Sequence, residues 1–214
     1  MSVASRVLLC LPLCFLVSLS ARADDEKSPA GFSTQGSPEG VLVLDSGKKV
    51  LFFQQKPKSL DGQYERAGYV HPLWDLDGEV LTEDFPDDHK HHRGIFWTWH
   101  QLTVGGKRVG DPWICKDFLS SVRAVKPVLR DDGTARLEVL SHWKSPLWED
   151  ENGIQKTIAV EKTGIVIHPV RDCARAIDFA ISLHAVEKDV RIGGSEDVKG
   201  YGGFCTRLKL PGGP

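Results

Sequence analysis

The sequence predicts an all-β protein built as an antiparallel β-sandwich. Short runs rich in Val, Ile, Leu and aromatic residues recur at near-regular spacing, and turn-forming residues separate them. No window of helical length holds a sustained helical period of apolar residues. Many short strands at such spacing favour two packed sheets or a barrel. With 214 residues, of which 41% are hydrophobic and 26% charged, the chain is long enough for one folded domain.

The first residues have the pattern of a secretory signal peptide. A basic Arg6 precedes an apolar run over 7–19, and Ala21-Arg22-Ala23 offers small residues for cleavage. We therefore expect residues 1–23 to be removed near Ala23 and the protein to be exported to the periplasm or the extracellular space. The apolar run is too short for a comfortable membrane span, and no longer one follows, so the mature chain is expected to have none.

A polar segment rich in Ser, Pro and Gly follows at residues 24–39. It has no periodicity, which predicts a disordered lead-in to a single β-sandwich domain over 40–214. The domain opens with "VLVLDSGKKVLFFQQ", two β-rich runs around a turn, which predicts a hairpin. Further strands are predicted at 95–104, 118–125, 135–142, 154–160, 165–170, 176–185 and 204–210. Two connections, 55–95 and 190–203, interrupt this series, and long loops in compact domains are commonly functional.

The first long connection leads into "DDHKHHRGIFWTWH", residues 87–100, which holds four of the eight histidines. Imidazole titrates near neutral pH, and a carboxylate nearby fixes its tautomer or raises its pKa. The pattern predicts an acid/base site in which His91 or His92 transfers protons and Asp84 orients it. His71 is a further candidate for this site. The alternative is a solvated, charged surface loop.

The same cluster offers a possible metal site. His89 and His91 are two residues apart, so in extended backbone they point the same way and could bind a divalent metal ion, with a carboxylate or His71 completing the set. The sequence has no HExxH or CxxC signature, so the identity of any cofactor stays unknown.

The run that follows the histidines predicts a strand with two distinct faces. Alternation places Trp97 and Trp99 on one face and Phe96 and His100 on the other. Two tryptophans on one face either fill the core or stack on a sugar ring, so both remain candidates for substrate binding.

The second long connection, "RIGGSEDVKGYGGF", combines glycines with polar side chains. Glu196, Lys199 and Tyr201 are candidates for substrate binding, together with Arg93 from the histidine segment. Walker spacing is missing, so this is not a phosphate loop, and an ordinary connection between strands is the alternative.

Charge and cysteine content limit the partners. Cleavage after residue 23 would remove Arg6 and Arg22 and no acidic residue, leaving 25 basic against 29 acidic residues, a net charge of −4. Nucleic acid is therefore not an expected partner. Three cysteines would remain, Cys115, Cys173 and Cys205, which allow at most one disulfide within the chain or three unpaired thiols.

Two segments, 69–118 and 192–204, carry a resemblance to the secreted PmoA-like family, whose members bear the name methane oxygenase. The shared features are His71-Pro72, Asp84-Phe85-Pro86, the His89 to Gly94 core and the Gly200 to Gly203 loop, while Lys90 stands where the family usually has proline. The resemblance implies a galactose-mutarotase-like β-sandwich and a carbohydrate ligand. It also implies roughly a hundred further residues, enough for several strands, so the sheet is expected to be truncated at its C-terminus.

These observations leave three classes of function open. The first is an exported carbohydrate-active enzyme with histidine acid/base chemistry. The second is a non-catalytic carbohydrate-binding module, in which the histidines only shape the loop. The third is a metal-dependent enzyme that uses His89 and His91.

Overall fold

The structure, a computed structural model, describes residues 31–210, and in that range the regular elements are all β-strands, which confirms the predicted all-β class. The strands are β1 (Phe32–Gly36), β2 (Gly40–Asp45), β3 (Lys48–Gln54), β4 (Lys58–Leu60), β5 (Gln63–Arg66), β6 (Tyr69–Leu73), β7 (Ile95–Trp99), β8 (Gln101–Val104), β9 (Lys107–Gly110), β10 (Leu119–Leu129), β11 (Ala135–Lys144), β12 (Ala159–Ile167), β13 (Ile177–Ala185), β14 (Val190–Gly193) and β15 (Gly202–Thr206). The predicted signal peptide lies outside the described residues, as does the beginning of the predicted lead-in.

Two antiparallel sheets form the sandwich. One has six strands in the order β1-β2-β3-β6-β7-β15, and the other has four in the order β10-β11-β12-β13. Alternate side chains of β11 point inward, because successive residues of a strand face opposite sides of the sheet. Val43, Phe53 and Trp97 from the first sheet meet Leu137 and Ile165 from the second in the main core.

A second core lies under a smaller sheet of the fold. β14, β8 and β9 form a three-stranded sheet, and its Leu102 and Val109 pack with Trp143 and Ile158. β4 and β5 form a separate two-stranded ribbon. No helix in residues 31–210 has the length and apolar character that crossing a bilayer requires.

Two predicted boundaries differ from the structure. The expected disordered lead-in contains β1, whose residues Phe32 to Gly36 pair with β2. Sheet pairing uses backbone groups, so a polar segment without apolar alternation can still form an edge strand. The two strands predicted at 154–160 and 165–170 are one strand, β12, because Gly164 continues the ladder with Glu138 and Ala180 instead of ending it.

The strand predicted at 95–104 is divided at His100, and this division positions the candidate site. β7 belongs to the six-stranded sheet, whereas β8 belongs to the three-stranded sheet. Strands that change sheets do so through a bend. His100 occupies this bend, so its side chain lies at the junction between the two sheets.

The histidine segment is held against β6 and β15 by a close backbone approach. Gly94 has a φ of 30°, and a Cβ at this position would lie 2.1 Å from the carbonyl oxygen of Val70. Only glycine fits such an approach without displacing the backbone. The backbone of Gly94 also bonds to Glu83 and Arg207, which fixes the loop between two neighbouring segments.

Candidate functional site

A cleft of about 540 Å³ opens where the histidine segment meets the sheet junction. Four histidines line it: His89, His91 and His92 come from the loop before β7, and His100 comes from the bend after it. Phe96 also lines the cleft, as does Cys205, which is opposite Phe96 in the β7–β15 register. The face of β7 that carries Phe96 therefore faces the cleft, and the opposite face, with Trp97, faces the core.

The three loop histidines pack against one another. The rings of His89 and His92 are stacked with centroids 4.8 Å apart, and His91 meets His92 edge to face at 4.6 Å. Imidazole binds a metal through a lone pair in the ring plane, and stacked rings present their faces to each other. Among residues 31–210, no three His, Cys, Asp or Glu side chains are grouped so that they could hold a metal ion.

Their packing keeps two of these histidines neutral near pH 7. The pKa of His91 is lowered to about 4, mainly by burial and in part by the positive charge of neighbouring groups, among them His92 and Arg66. Burial also lowers the pKa of His92 to about 4, with help from Arg207, although Asp88 opposes the change. Two neutral imidazoles are weak proton acceptors and cannot donate as imidazolium, so they suit hydrogen bonding to a ligand better than acid catalysis.

Among the described residues, His91 and His92 have no carboxylate hydrogen-bond partner, whereas His100 has one. Its Nδ1 lies 3.1 Å from Oδ2 of Asp111, the residue after β9, and both side chains are largely buried. A carboxylate only accepts hydrogen bonds, so Nδ1 carries the proton and the lone pair is on Nε2. Arg108 donates hydrogen bonds to Asp111 at 3.1 Å and to Glu196 at 3.0 Å, which holds the carboxylate of Asp111 in position. The arrangement orients His100 to accept a proton at Nε2.

An aromatic platform lies beside this pair. Trp113 is 7% exposed and stacks on His100, with ring centroids 5.2 Å apart. Tyr201 from the glycine-rich connection stacks on Trp113 at 5.9 Å with an interplanar angle of 10°, and it is 49% exposed. Lys199 lies over the Tyr201 ring at 5.5 Å. Tyr201 therefore offers an open aromatic face, supported by Trp113, on which the apolar side of a sugar ring could stack.

Asp84 and Arg93 lie at the base of the histidine loop and not in the acid/base and substrate-binding site that the sequence predicts for them. Arg93 is 0% exposed, and it donates to Asp84 at 2.9 Å and to the carbonyl oxygens of Lys58 and Tyr64. Asp84 also accepts from Lys58 at 2.6 Å. Burial alone would raise the pKa of Asp84, but hydrogen bonds from Lys58 and Arg93 outweigh burial and lower it. The pair fastens the base of the loop, so Asp84 does not orient His91 or His92, and Arg93 cannot reach a ligand.

The tryptophans of β7 also require correction. Trp97 is 6% exposed within the main core and stacks near Phe204, so it cannot receive a sugar ring. Trp99 packs against the second core, where its ring lies 6.1 Å from that of Trp143. Of the two open alternatives, the structure supports core filling, because an inward face of a sandwich strand is where large aromatic area is buried.

The remaining predicted site residues form two groups, one away from the cleft and one at or near it. His71 lies on β6, bonds through Nδ1 to Oγ1 of Thr82 at 2.9 Å and does not line the cleft. Burial lowers its pKa. Glu196 reaches the site indirectly, through Arg108, whereas Tyr201 lines the cleft and Lys199 contacts Tyr201. The cysteines of the described range, Cys115, Cys173 and Cys205, are free thiols.

Sequence reasoning missed the His100–Asp111 pair, Trp113 and Arg207. His100 stands at the end of the same histidine-rich motif, and Asp111 and Trp113 follow 11 and 13 residues after it. The sequence signal for His100 was the alternation of side chains along the strand, since Phe96 and His100 share a face opposite the core-filling tryptophans. Contact between His100 and Asp111 depends on the bend between two sheets, which has no sequence signature.

The fold and the cleft together define an all-β protein with a histidine-rich, aromatic cleft at a junction between sheets. A model described as a family of unknown function (DUF6807) matches residues 40–210, so the chain belongs to this family. No curated protein and no solved structure matches the chain.

Proposed function

We propose that this protein is an exported enzyme that acts on carbohydrate, with His100 accepting a proton from a sugar bound in the cleft. The observation that carries the proposal is the hydrogen bond between His100 and Asp111 in a cleft that the half-exposed ring of Tyr201 also lines. Asp111 holds the tautomer whose Nε2 is free and stabilises the imidazolium that forms after proton transfer.

Each part of the cleft has a task in this reaction. Tyr201, supported by Trp113, stacks on the sugar ring and holds it in the cleft that His100 also lines. The neutral rings of His91 and His92 form hydrogen bonds to hydroxyl groups, and each can donate or accept. The motifs shared with the PmoA-like family and its galactose-mutarotase-like sandwich support a carbohydrate ligand, although a shared fold alone is weak support for function.

Turnover of a panel of glycans by the purified protein tests the proposal. On any glycan that the protein converts, His100→Asn and Asp111→Asn are expected to lower kcat by about 10²–10⁴-fold, because a positioned general base contributes this much. The chain offers a matched control in His168, whose Nε2 pairs with Asp178 at 2.8 Å outside the cleft. His168→Asn should leave kcat unchanged.

Other outcomes identify the alternative functions. Glycan binding by the wild-type protein without turnover of any glycan would indicate a carbohydrate-binding module. Stoichiometric metal in the purified protein that disappears in His89→Ala and His91→Ala would indicate a metal-dependent enzyme. Equal activity of His100→Asn and wild type would contradict the assigned role of His100.

A further inference from the structure

We propose that the sugar bound in the cleft is acidic, carrying a carboxylate that the cleft recognises as an anion. The inference rests on the proposed function, since it names the substrate class of the same site. It is carried by the absence of carboxylates among the described residues of the cleft wall and by the two guanidinium groups placed at and behind that wall.

The described residues that line the cleft include no Asp or Glu. The nearest carboxylates are hydrogen-bonded to side chains of the lining or of its support: Asp111 bonds to His100 and Arg108, Glu83 to Arg207, and Asp88 to Arg207 and His89. A ligand in the cleft thus meets imidazoles, aromatic rings and one guanidinium. A wall of this composition offers hydrogen-bond donors to an anion, and its described lining residues carry no negative charge.

Arg207 supplies a donor to the ligand. Its Nε bonds to Glu83 at 2.9 Å and its Nη2 to Asp88 at 2.6 Å, so the side chain is fixed in position. Within residues 31–210, its Nη1 has no hydrogen-bond partner, and Arg207 lines the cleft. A guanidinium whose orientation is already fixed loses little further entropy when it binds a carboxylate.

Arg66 adds a buried positive charge behind the cleft. It is 8% exposed, stacks 4.8 Å from the ring of Phe96 and donates to the carbonyl oxygens of Pro112 and Trp113 and to the thiol of Cys115. None of these partners is a carboxylate, and its buried Nε has no partner at all in the described range. A buried cation without a contacting anion is unfavourable, and an anion in front of Phe96 would offset part of that cost.

The positive charge of Arg66 acts on the histidines of the cleft. Burial is the main reason that the pKa of His91 and of His92 is low, but the charge of Arg66 lowers both as well. The effective dielectric constant between partly buried groups is far below that of water, so the same field would attract an anionic group of a ligand.

Two glycosides that differ mainly at C6 provide the test. Calorimetric titration at pH 7.5 and fixed ionic strength would compare methyl β-glucuronide with methyl β-glucoside. The glucuronide is expected to bind about tenfold more tightly, since a charge-assisted hydrogen bond to a guanidinium adds to the stacking that both sugars share. Arg207→Gln should reduce this preference to about twofold or less, and Arg207→Lys should retain part of it.

Arg175 provides the matched control, because it is also a partly buried arginine paired with an acid, Asp45, and does not line the cleft. Arg175→Gln should keep the full preference for glucuronide.

Equal affinity of the wild type for the two glycosides would overturn the inference and leave the proposed function intact. If neither glycoside binds, the proposed function fails. Inorganic sulfate then decides the inference: NMR shifts at the cleft histidines that are lost in Arg207→Gln sustain an anion site, and their absence overturns it.

Discussion

The value of a histidine as a proton acceptor depends on the group that holds its other nitrogen. His100 has a carboxylate on Nδ1, whereas His91 and His92 have only one another and nearby cations. The sequence predicts acid/base chemistry at the histidine-rich motif and assigns it to the loop histidines, because four acidic residues surround them in the chain. In the structure those acids pair with Lys58, Lys90, Arg93 and Arg207, and Asp88 also pairs with His89.

Arg93 gives a second example of a side chain whose environment decides its role. We expect Arg93→Lys to lower the free energy of unfolding by about 3–5 kcal/mol, because a lysine cannot reproduce the bonds to Asp84, Tyr69 and two carbonyl oxygens and leaves buried polar groups unpaired. Urea unfolding monitored by tryptophan fluorescence measures the change.

An exposed arginine serves as the comparison. Arg130 forms a 3.7 Å ion pair with Asp132 on the surface, so Arg130→Lys should change stability by less than about 1 kcal/mol. A loss in Arg93→Lys that is no larger than the loss in Arg130→Lys would show that Arg93 does not fasten the loop.

Among strands and loops, the sequence predicted the long strands of the sandwich better than the short strands: β4, β5, β6, β9 and β14 lie in segments where no strand was expected. The hairpin of β2 and β3 and the strands β10, β11 and β13 were predicted nearly in place, because each has alternating or continuous apolar residues between turn formers. β1 was missed because backbone pairing, not apolar pattern, forms it. The division between β7 and β8 was missed because the apolar run continues through the bend.

The histidine loop is expected to make stability depend on pH. The pKa values of His91 and His92 are about 4 in the folded protein against 6.5 for an ordinary histidine, so the unfolded chain binds more protons between these values. Stability is therefore highest above about pH 6.5 and falls as the pH decreases toward 4. Urea midpoints measured from pH 7.5 to pH 4.5 give this dependence.

Replacement of both histidines isolates their contribution. His91→Asn combined with His92→Asn should flatten the fall in stability with decreasing pH, while His168→Asn, away from the cleft, should leave the curve unchanged. An identical slope in the double variant and the wild type would mean that these rings do not lose protons on folding.

In the whole molecule, the candidate site lies where the six-stranded and the three-stranded sheets meet. The sandwich class followed from the spacing of short apolar runs, and the two long connections supply His89, His91, His92 and Tyr201 to the cleft. Which faces converge could not follow from the sequence, because the convergence depends on β7 and β8 belonging to different sheets and on β15 pairing with β7. The predicted tryptophan platform consequently proved to be core, and Tyr201 supported by Trp113 takes its place.

The eight histidines make the cleft directly observable, because four line it and four, namely His71, His142, His168 and His184, lie elsewhere. The decisive measurement is NMR of the imidazole nitrogens during titration with acidic and neutral oligosaccharides. We expect shifts at His100 and at the three loop histidines, saturating together, with the other four unchanged. Shifts confined to the four histidines outside the cleft would contradict the assignment of the cleft as the carbohydrate site.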